Sequence, residues 1–232
     1  MIYNDSPAKD DTHTIGSCFI AETPEDRDKV YQLRYACYRR RESIEFREEA
    51  RFSDHYDALP NSFSFLVDSK AAQAVATVRI SVVRPDLGWT ESPANRVFGD
   101  HPKFQAIAGE SFVEASRLCF GQQARRDAFM RLLGNMAALA SFYETKWLVA
   151  CPRVEHASTY QRLFGFQELA EPRKYFGVNF QTQLLGVRTE RLRAHVDGMK
   201  PAKHAWSAAL EQLAARPPFA ICSQECAQPS YS

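Results

Sequence analysis

The sequence predicts a mixed α/β (α+β) protein in which a central, mostly antiparallel sheet is flanked by helices. Segments with strand periodicity and segments with helical periodicity follow one another in an irregular order: helix, three strands, helix, strand, helix, two strands. No Gly-x-Gly-x-x-Gly motif follows a strand, so a doubly wound nucleotide-binding fold is not predicted.

Size and composition are those of an ordinary globular protein, with 232 residues, 45% hydrophobic and 25% charged. We expect a flexible N-terminal arm over 1–20, a main domain over 21–190, and a C-terminal helical extension and tail over 191–232. The formal charge of +1 gives no indication of nucleic-acid binding. No apolar run reaches the ~20 residues of a transmembrane segment, and the polar N-terminus does not resemble a secretion signal. A cytoplasmic location is therefore expected.

In the cytosol the six cysteines are expected to be reduced thiols. Four stand singly among apolar residues and are predicted to be small core residues: Cys18, Cys37, Cys119 and Cys151. Cys222 and Cys226 lie four apart in the tail, where a disulfide or half of a metal site stays open. No second ligand pair is visible, so no metal centre is predicted.

The first helix is predicted to start at Thr23-Pro24-Glu25-Asp26 and to run to about Arg41. A capping hydroxyl, a proline in the first turn and early acidic residues are typical of a helix N-terminus. Arg34 falls on the apolar stripe, four residues from both Val30 and Tyr38. Because a buried guanidinium needs a carboxylate or a polar cavity, Arg34 is the first indication of a site.

A polar loop over 42–61 is followed by a predicted hairpin with strands over 62–67 and 74–83. Arg79 lies on the polar face of the second strand. The stretch 84–110 is rich in Pro and Gly and is predicted to be irregular, with a short helix near 95–98. The remaining predicted elements are a strand over 111–120, a helix over 122–144, a strand over 147–151, a helix over 154–164, strands over 166–170 and 176–187, and a helix over 190–214.

One set of charged residues stands out because its members lie on or beside the predicted central elements: Arg34, Asp54, Asp57, Arg79, Glu114 and Arg117. Either a structural ion-pair network or an active site explains such a set, and the residues alone leave both open. Glu114 and Arg117 are three apart and would face opposite sides of a regular strand. A β-bulge between them would place both on one side.

These residues and their order resemble a known family. Arg34 with Tyr38, Asp54-x-x-Asp57, Arg79 and Glu114-Ala-Ser-Arg117 resemble the acyl-homoserine lactone (autoinducer) synthases. The resemblance to FeeM-like N-acyl amino acid synthases is closer. It rests on Phe52-Ser-Asp-His-Tyr-Asp-Ala-Leu-Pro-Asn-Ser62 and on Glu155-His-Ala-Ser-Thr-Tyr-Gln-Arg-Leu-Phe-Gly-Phe166. Both families are branches of the GNAT acyltransferase superfamily, and the similarity spans about residues 25–188.

The resemblance implies a GNAT fold and an enzyme without a cofactor. Such an enzyme joins a fatty acyl group, carried as a thioester on acyl carrier protein or CoA, to the α-amine of an amino acid. Members that use acetyl-CoA carry a glycine-rich pyrophosphate loop where this chain has Gly121–Arg126, which favours acyl carrier protein as the donor. Since carrier proteins are acidic, three arginines become candidate docking residues: Arg125, Arg126 and Arg131.

The resemblance also implies roles for the site residues. Glu114 is the candidate base that takes the proton of the ammonium group, and Tyr160 is a candidate general acid for the leaving thiolate or a core aromatic. Backbone N–H groups of the strand would hold the thioester oxygen. One of three arginines would bind the substrate carboxylate: Arg34, Arg79 or Arg117. Asp54 and Asp57 would bind the ammonium group or pair with those arginines.

An apolar slot is needed for the acyl chain, and five aromatic residues are candidates for it or for plain core: Phe63, Phe65, Phe112, Phe129 and Trp147. Two alternatives stay open. The first is an acyl-homoserine lactone synthase that uses S-adenosylmethionine, although the tryptophan usual after its first helix is replaced here by Ile44 or Phe46. The second is a GNAT domain that binds a carrier protein or a small effector without catalysis.

Overall fold

The computed structural model describes residues 15–122, 124 and 126–215. Seven strands form one sheet in the order β1-β2-β3-β4-β5-β7-β6, and the only parallel pair of neighbours among the described strands is β4 with β5. The predicted mixed, mostly antiparallel sheet is thereby confirmed. The strands are β1 Ile15–Ile20, β2 Ser62–Ser69, β3 Ala74–Val83, β4 Phe112–Phe120, β5 Trp147–Ala150, β6 Gln167–Lys174 and β7 Gln181–Arg188.

Helices cover both faces of the sheet. One face carries α1 to α3 and the other carries α4 to α7. No helix in the described ranges combines the length and apolar character that a membrane crossing requires. The helices are α1 Pro24–Arg40, α2 Pro93–Phe98, α3 Pro102–Ala108, α4 Arg126–Phe142, α5 Val154–Phe164, α6 Thr189–Asp197 and α7 Lys200–Ala214.

Strand β3 is central, and its two faces differ in chemistry. Val78, Ile80 and Val82 are fully buried against α4 in the main core. Arg79 and its neighbours on the opposite face are equally buried but polar. Burial of a polar strand face is tolerated only where its polar groups find partners. The candidate site is therefore expected where other polar side chains meet this face of β3.

Three sequence predictions need correction. The predicted flexible arm over 1–20 includes a strand, since Ile15–Ile20 pairs antiparallel with β2 at the edge of the sheet. Residues 1–14 lie outside the described residues. The stretch 84–110 contains two helices rather than one, because Pro102 starts α3. The predicted helix over 190–214 is divided at Gly198, where α6 ends.

Of the four cysteines predicted to be core residues, Cys37 and Cys119 are buried, whereas Cys18 and Cys151 are partly exposed. Cys222 and Cys226 lie outside the described residues. Within the described ranges, no group of three or more His, Cys, Asp or Glu side chains is arranged to hold a metal ion.

The C-terminal helix α7 packs closely on α4. A Cβ atom added at Gly134 of α4 would stand 2.2 Å from the carbonyl oxygen of Ala202 and 3.0 Å from the backbone nitrogen of Trp206. Both of these atoms belong to the α7 backbone, which cannot move away as a side chain does. Gly134 therefore permits the close approach of the two helices.

We expect Gly134→Ala to lower the free energy of unfolding by about 1–3 kcal/mol, the usual cost of overpacking a core. Urea unfolding followed by circular dichroism measures this change. Gly109→Ala is the matched control, because a Cβ there would meet its nearest atom at 3.7 Å. Equal stability of the two variants would contradict the close packing of α4 on α7.

Candidate active site

A β-bulge in β4 places Glu114 and Arg117 on the same face of the sheet. Arg79 of β3 pairs with Ser116, and Thr77 pairs with Cys119, so β4 has one extra residue between these two pairs. Arg117 takes up the extra residue with a φ of +54°, in the left-handed region that non-glycine residues rarely adopt. The bulge predicted from the spacing of Glu114 and Arg117 is confirmed.

The two aspartates are held by a short 3₁₀ turn over His55–Ala58. The Asp54 carboxylate accepts a hydrogen bond from the backbone N–H of Tyr56, and the Asp57 carboxylate accepts one from the N–H of Asp54 at 3.0 Å. This reciprocal capping needs side-chain acceptors three residues apart, which Asp54 and Asp57 provide. It explains the Asp-x-x-Asp spacing and turns both carboxylates toward the sheet.

Asp54 and Asp57 pair with the three buried arginines. Asp57 accepts from Arg34 at 2.7 Å and lies 3.3 Å from Arg79. Asp54 bridges the other two arginines, with a contact to Arg79 and a 2.8 Å bond from Arg117. A buried guanidinium without an anion would be strongly destabilising, so this network holds α1, the loop, β3 and β4 together.

Serine hydroxyls accept further donors of the same arginines. Arg34 donates to Ser64 at 2.9 Å and Arg79 donates to Ser116 at 3.1 Å. Four aromatic rings surround the guanidinium of Arg117, with the Phe52 centroid nearest at 4.5 Å and those of Tyr38, Tyr175 and Phe176 at 5.8 Å each. Such rings stabilise a desolvated cation.

Asp54 and Glu114 have opposite pKa shifts. Burial alone would raise the pKa of Asp54, but Arg79 and Arg117 outweigh it and lower the pKa to about 2. For Glu114, which is fully buried, desolvation dominates and raises the pKa. Its Oε2 accepts from the backbone N–H of Ala94 at 2.7 Å and its Oε1 from the hydroxyl of Tyr175 at 2.9 Å.

Strands β4 and β5 part beside this cluster. Their parallel pairing runs from Phe112 with Trp147 to Ala115 with Ala150 and then stops, while β4 continues to Phe120. The parting opens a cavity of ≈ 460 Å³, which we call the wedge cavity and which lies within the size range of small-molecule sites. The residues that line it come from the end of α1, from β4, α4, β5 and α5, and from the segments that follow them: Cys37, Tyr38, Arg40, Arg41, Ser43, residues 115–120, Phe129, Leu133, Met136, Leu148, residues 150–153, His156, Thr159, Tyr160, Leu163, Phe164, Phe166 and Phe180.

The wedge cavity has an apolar interior and a cationic rim. Leu133 and Met136 of α4 and Phe164 of α5 line its interior. Arg40 and Arg41 of α1 lie at its rim, where Arg41 contacts the ring of His156 at 3.3 Å. Of the five aromatic residues predicted for an acyl slot, only Phe129 lines the cavity. The other four are core residues elsewhere: Phe63, Phe65, Phe112 and Trp147.

A second depression, the basic cleft, lies beside the wedge cavity. Its volume is ≈ 690 Å³, and its lining is Ser43, Ile44, Glu45, Arg47, Arg96, Val97 and residues 173–179. Ser43 lines both spaces, so they adjoin at this residue. Arg173 pairs with Asp100, whereas Arg47 and Arg96 make no ion pair among the described residues. The cleft therefore offers positive charge to an anion.

The remaining predicted residues lie outside the charged cluster. Tyr160 of α5 lines the wedge cavity, and burial raises the pKa of its hydroxyl to about 12. Arg126 is exposed at the start of α4, and Arg131 is held by Asp127 and by the carbonyl of Gly16. Arg125 lies outside the described residues.

Sequence reasoning missed the loop between β6 and β7. Tyr175 bonds to Glu114, and its ring stacks on Phe176 at 4.8 Å. Tyr175 lies outside every predicted element and Phe176 was placed at the start of a predicted strand that in fact begins at Gln181, so only the folded sheet brings them to the site. Ser116 is different, because it is part of the Glu-Ala-Ser-Arg motif from which the site was predicted.

Comparisons with known proteins identify the family and the fold. The model of a protein family described as N-acyl amino acid synthase FeeM matches residues 29–188, more than half of the chain. A comparison with curated protein sequences finds no match.

Among solved structures, the chain is similar to FeeM, an N-acyl amino acid synthase from uncultured soil microbes, with a TM-score of 0.64 and 14% identity over 77% of this chain and 93% of that one. It is also similar to the acyl-homoserine lactone synthase LasI, with a TM-score of 0.57 and 15% identity over 79% and 95%. The CoA-dependent synthase BjaI gives a TM-score of 0.53 and 18% identity over 81% and 96%. These likenesses show the fold, which is that of the GNAT acyltransferases.

The pKa of Asp54 predicts how stability depends on acid. A carboxyl whose folded pKa lies below its unfolded value stabilises the protein above about pH 4, and that contribution is lost as pH falls toward 2. With a shift from 3.8 to about 2, the advantage of the wild type over Asp54→Asn should shrink by about 1 kcal/mol between pH 5 and pH 3. Urea unfolding at each pH measures this difference.

Asp86→Asn is the control, since Asp86 is an exposed surface residue paired with Arg84 and should change the pH dependence little. A constant difference between the wild type and Asp54→Asn across this pH range would contradict the role given to the ion-pair network.

Proposed function

The chain belongs to the FeeM family of N-acyl amino acid synthases and is an acyltransferase, and we propose that it joins a fatty acyl group from acyl carrier protein to the α-amine of an amino acid. One observation carries the proposal. An apolar cavity with a cationic rim opens between β4 and β5, adjoins a basic cleft, and lies one residue along β4 from Glu114, a buried glutamate whose pKa is raised. Donor and acceptor would enter from these two spaces.

The reaction forms a C–N bond and breaks a C–S bond. The ammonium group first loses one proton, and the free amine attacks the thioester carbonyl carbon. A second proton then passes from nitrogen to the departing thiolate. The net products are an amide, a thiol and one released proton. The protein therefore has to accept a proton, stabilise the oxyanion and hold both substrates.

Glu114 suits the first task. A carboxylate of ordinary pKa is a weak base at neutral pH, whereas burial raises the pKa of Glu114 toward that of the group it has to deprotonate. The oxyanion would lie at the backbone of β4 beyond Ala115, where the strand has lost its parallel neighbour. Tyr160 faces the same cavity, and with a pKa of about 12 its hydroxyl stays protonated and can donate a hydrogen bond to the thiolate sulfur.

The acceptor carboxylate fits the basic cleft better than the buried arginines. Arg34, Arg79 and Arg117 already hold Asp54 and Asp57, so a carboxylate at those guanidinium groups would compete with existing ion pairs. Arg96 and Arg47 line the cleft without an ion pair among the described residues. We therefore assign the carboxylate to these two, and assign Asp54 and Asp57 to arginine pairing rather than to ammonium binding.

The rim of the wedge cavity favours an acidic carrier protein as donor. Arg40 and Arg41 end α1 at this rim, and Arg153, which donates to Ser43 and pairs with Glu155, also lines the cavity. Long-range attraction between such a rim and an acidic partner speeds association and orients the partner. Of the three arginines predicted for docking, Arg131 is occupied by Asp127 and Gly16 and Arg126 does not line the cavity, so Arg40 and Arg41, which do, are the stronger candidates.

Lactone synthesis is the second candidate, because the fold is shared with LasI and BjaI. The residues at the position where those enzymes usually carry a tryptophan give little support to lactone synthesis. Ile44 is buried in a small cluster with Phe52 and Tyr175, and Phe46 is 70% exposed. Incubation with S-adenosylmethionine and an acyl donor decides between the two, since a lactone synthase releases methylthioadenosine and an N-acyl amino acid synthase does not.

We expect the purified chain to form N-acyl amino acids from a long-chain acyl carrier protein and free amino acids, detected by mass spectrometry. Glu114→Gln should lower kcat by about 10²–10⁴-fold, because it removes the base. The variant should unfold at an equal or higher temperature, because a carboxyl whose folded pKa is raised destabilises the protein above that pKa. Glu110→Gln, on the exposed surface, should keep full activity. Undiminished product from Glu114→Gln would remove Glu114 as the base.

The double variant Arg40→Glu/Arg41→Glu should raise KM for the acyl carrier protein about tenfold or more, or ~1.4 kcal/mol, with little change in kcat. With acyl-pantetheine, which lacks the carrier protein, the variant and the wild type should perform alike. Lys103→Glu, exposed on α3, is the control for a change of surface charge. An equal loss with both donors would contradict docking at this rim.

A further inference from the structure

Glu114 has no direct route to either substrate space. Its side chain is fully buried, and it lines neither the wedge cavity nor the basic cleft. The neighbouring residues Ala115 and Ser116 form the cavity wall in front of it. A base in this position can receive a proton only through a group that touches both the carboxylate and the substrate.

Tyr175 is placed between the two. Its hydroxyl donates to Glu114 Oε1 at 2.9 Å, and the residue lines the basic cleft where the acceptor carboxylate was assigned. The ring is 4% exposed, stacks on Phe176 and borders the guanidinium of Arg117. Packing from these neighbours keeps the hydroxyl aimed at the carboxylate.

The other groups that reach Glu114 cannot replace Tyr175. The backbone N–H of Ala94 is a donor that does not release its proton. The Ser92 hydroxyl also approaches Glu114, but it is buried, caps α2 at Asn95 and lines neither space. Among the described residues, Tyr175 alone combines a hydroxyl bonded to Glu114 with a place in the lining of the cleft.

We infer that Tyr175 is a catalytic residue that relays the ammonium proton from an amino acid in the basic cleft to Glu114. The inference rests on the proposed function and extends it to the path of the proton.

Two proton transfers occur in the same direction. The substrate nitrogen gives a proton to the phenolic oxygen of Tyr175 as the Tyr175 hydroxyl gives its own to Glu114 Oε1. The phenol is neutral before and after, the carboxylate becomes a carboxylic acid, and the amine becomes free to attack the thioester. The proton on Glu114 is the one released by the overall reaction, and it returns through Tyr175 to water once the product has left.

Burial favours the neutral forms of Glu114 and Tyr175, and the nearby arginines oppose it. Arg79 from β3 lies near both Glu114 and Tyr175, Arg117 from β4 lies near Tyr175, Cys151 follows β5, and Arg96 of α2 lies over Phe176. Burial and the nearby carboxylate raise the pKa of Tyr175 well above its ordinary value, so its hydroxyl is present as a phenol. The relay uses Tyr175 as a phenol throughout, because its hydroxyl gains one proton as it gives up another and no free phenolate forms.

The test compares two nucleophiles on Tyr175→Phe. With an amino acid at pH 7, kcat should fall about 10²-fold or more, because the ammonium group keeps its proton. With aminooxyacetate, whose amine is neutral at that pH, Tyr175→Phe should react as fast as the wild type. Glu114→Gln should behave in the same way, and the double variant should be no worse than either single variant, since both act on one path.

Tyr143→Phe is the matched control, because Tyr143 lies in the core against Phe63 and Trp89 and should leave both rates unchanged. Thermal unfolding shows that each variant is folded, and Glu114→Gln provides a second route to the same test. An equal loss with both nucleophiles would mean that Tyr175 has only a structural role, and an undiminished rate with amino acids would also overturn the relay. Absence of any N-acyl product from the wild type would instead overturn the proposed function.

Discussion

Three fully or almost fully buried arginines on one face of a sheet are the constraint on which this molecule is built. Arg34, Arg79 and Arg117 come from a helix and two strands, and none of them could be desolvated without an anion nearby. Two carboxylates at a single 3₁₀ turn form ion pairs with all three. The loop between α1 and β2 is thus held against the sheet by charge as well as by apolar packing.

Neutrality of the cluster depends on the third carboxylate. Three guanidinium groups face Asp54, Asp57 and Glu114, so the charges balance when Glu114 is ionised and leave a surplus of +1 when it is protonated. Asp54 has direct arginine bonds and a lowered pKa, whereas Glu114 has only neutral donors and a raised one. The same arginines therefore keep one acid permanently charged and leave another able to change charge.

Much of the fold and part of the site could be predicted from the sequence. Periodicity identified α1, the β2–β3 hairpin and β4, because strong apolar patterns and a clear N-cap at Thr23 determine these elements locally. The spacing of Glu114 and Arg117 predicted the bulge, since only an irregular strand can place both on one face. The cluster of Arg34, Asp54, Asp57 and Arg79 was predicted as a set, although the residues alone did not distinguish an ion-pair network from a site.

Other features depend on contacts that no local pattern encodes. Strand β1 is a short edge strand whose pairing partner lies about 50 residues away, so its segment gives a weak strand signal. Tyr175 reaches Glu114 only because β7 lies between β5 and β6 in the sheet, an order that the sequence does not reveal. Aromatic residues occur both in acyl-binding slots and in ordinary cores, so the sequence could not tell which of the five predicted residues line a slot. Of these five, only Phe129 faces the cavity.

The contact between α4 and α7 sets a limit on the wedge cavity from behind. Leu133 and Met136 of α4 line the cavity, while Gly134 between them lies against the backbone of α7. Helix α4 consequently has no room to retreat when the cavity is filled. A longer molecule bound in the wedge cavity would have to be accommodated by rotation of side chains rather than by movement of α4. Helix α7 therefore limits the depth of the wedge cavity.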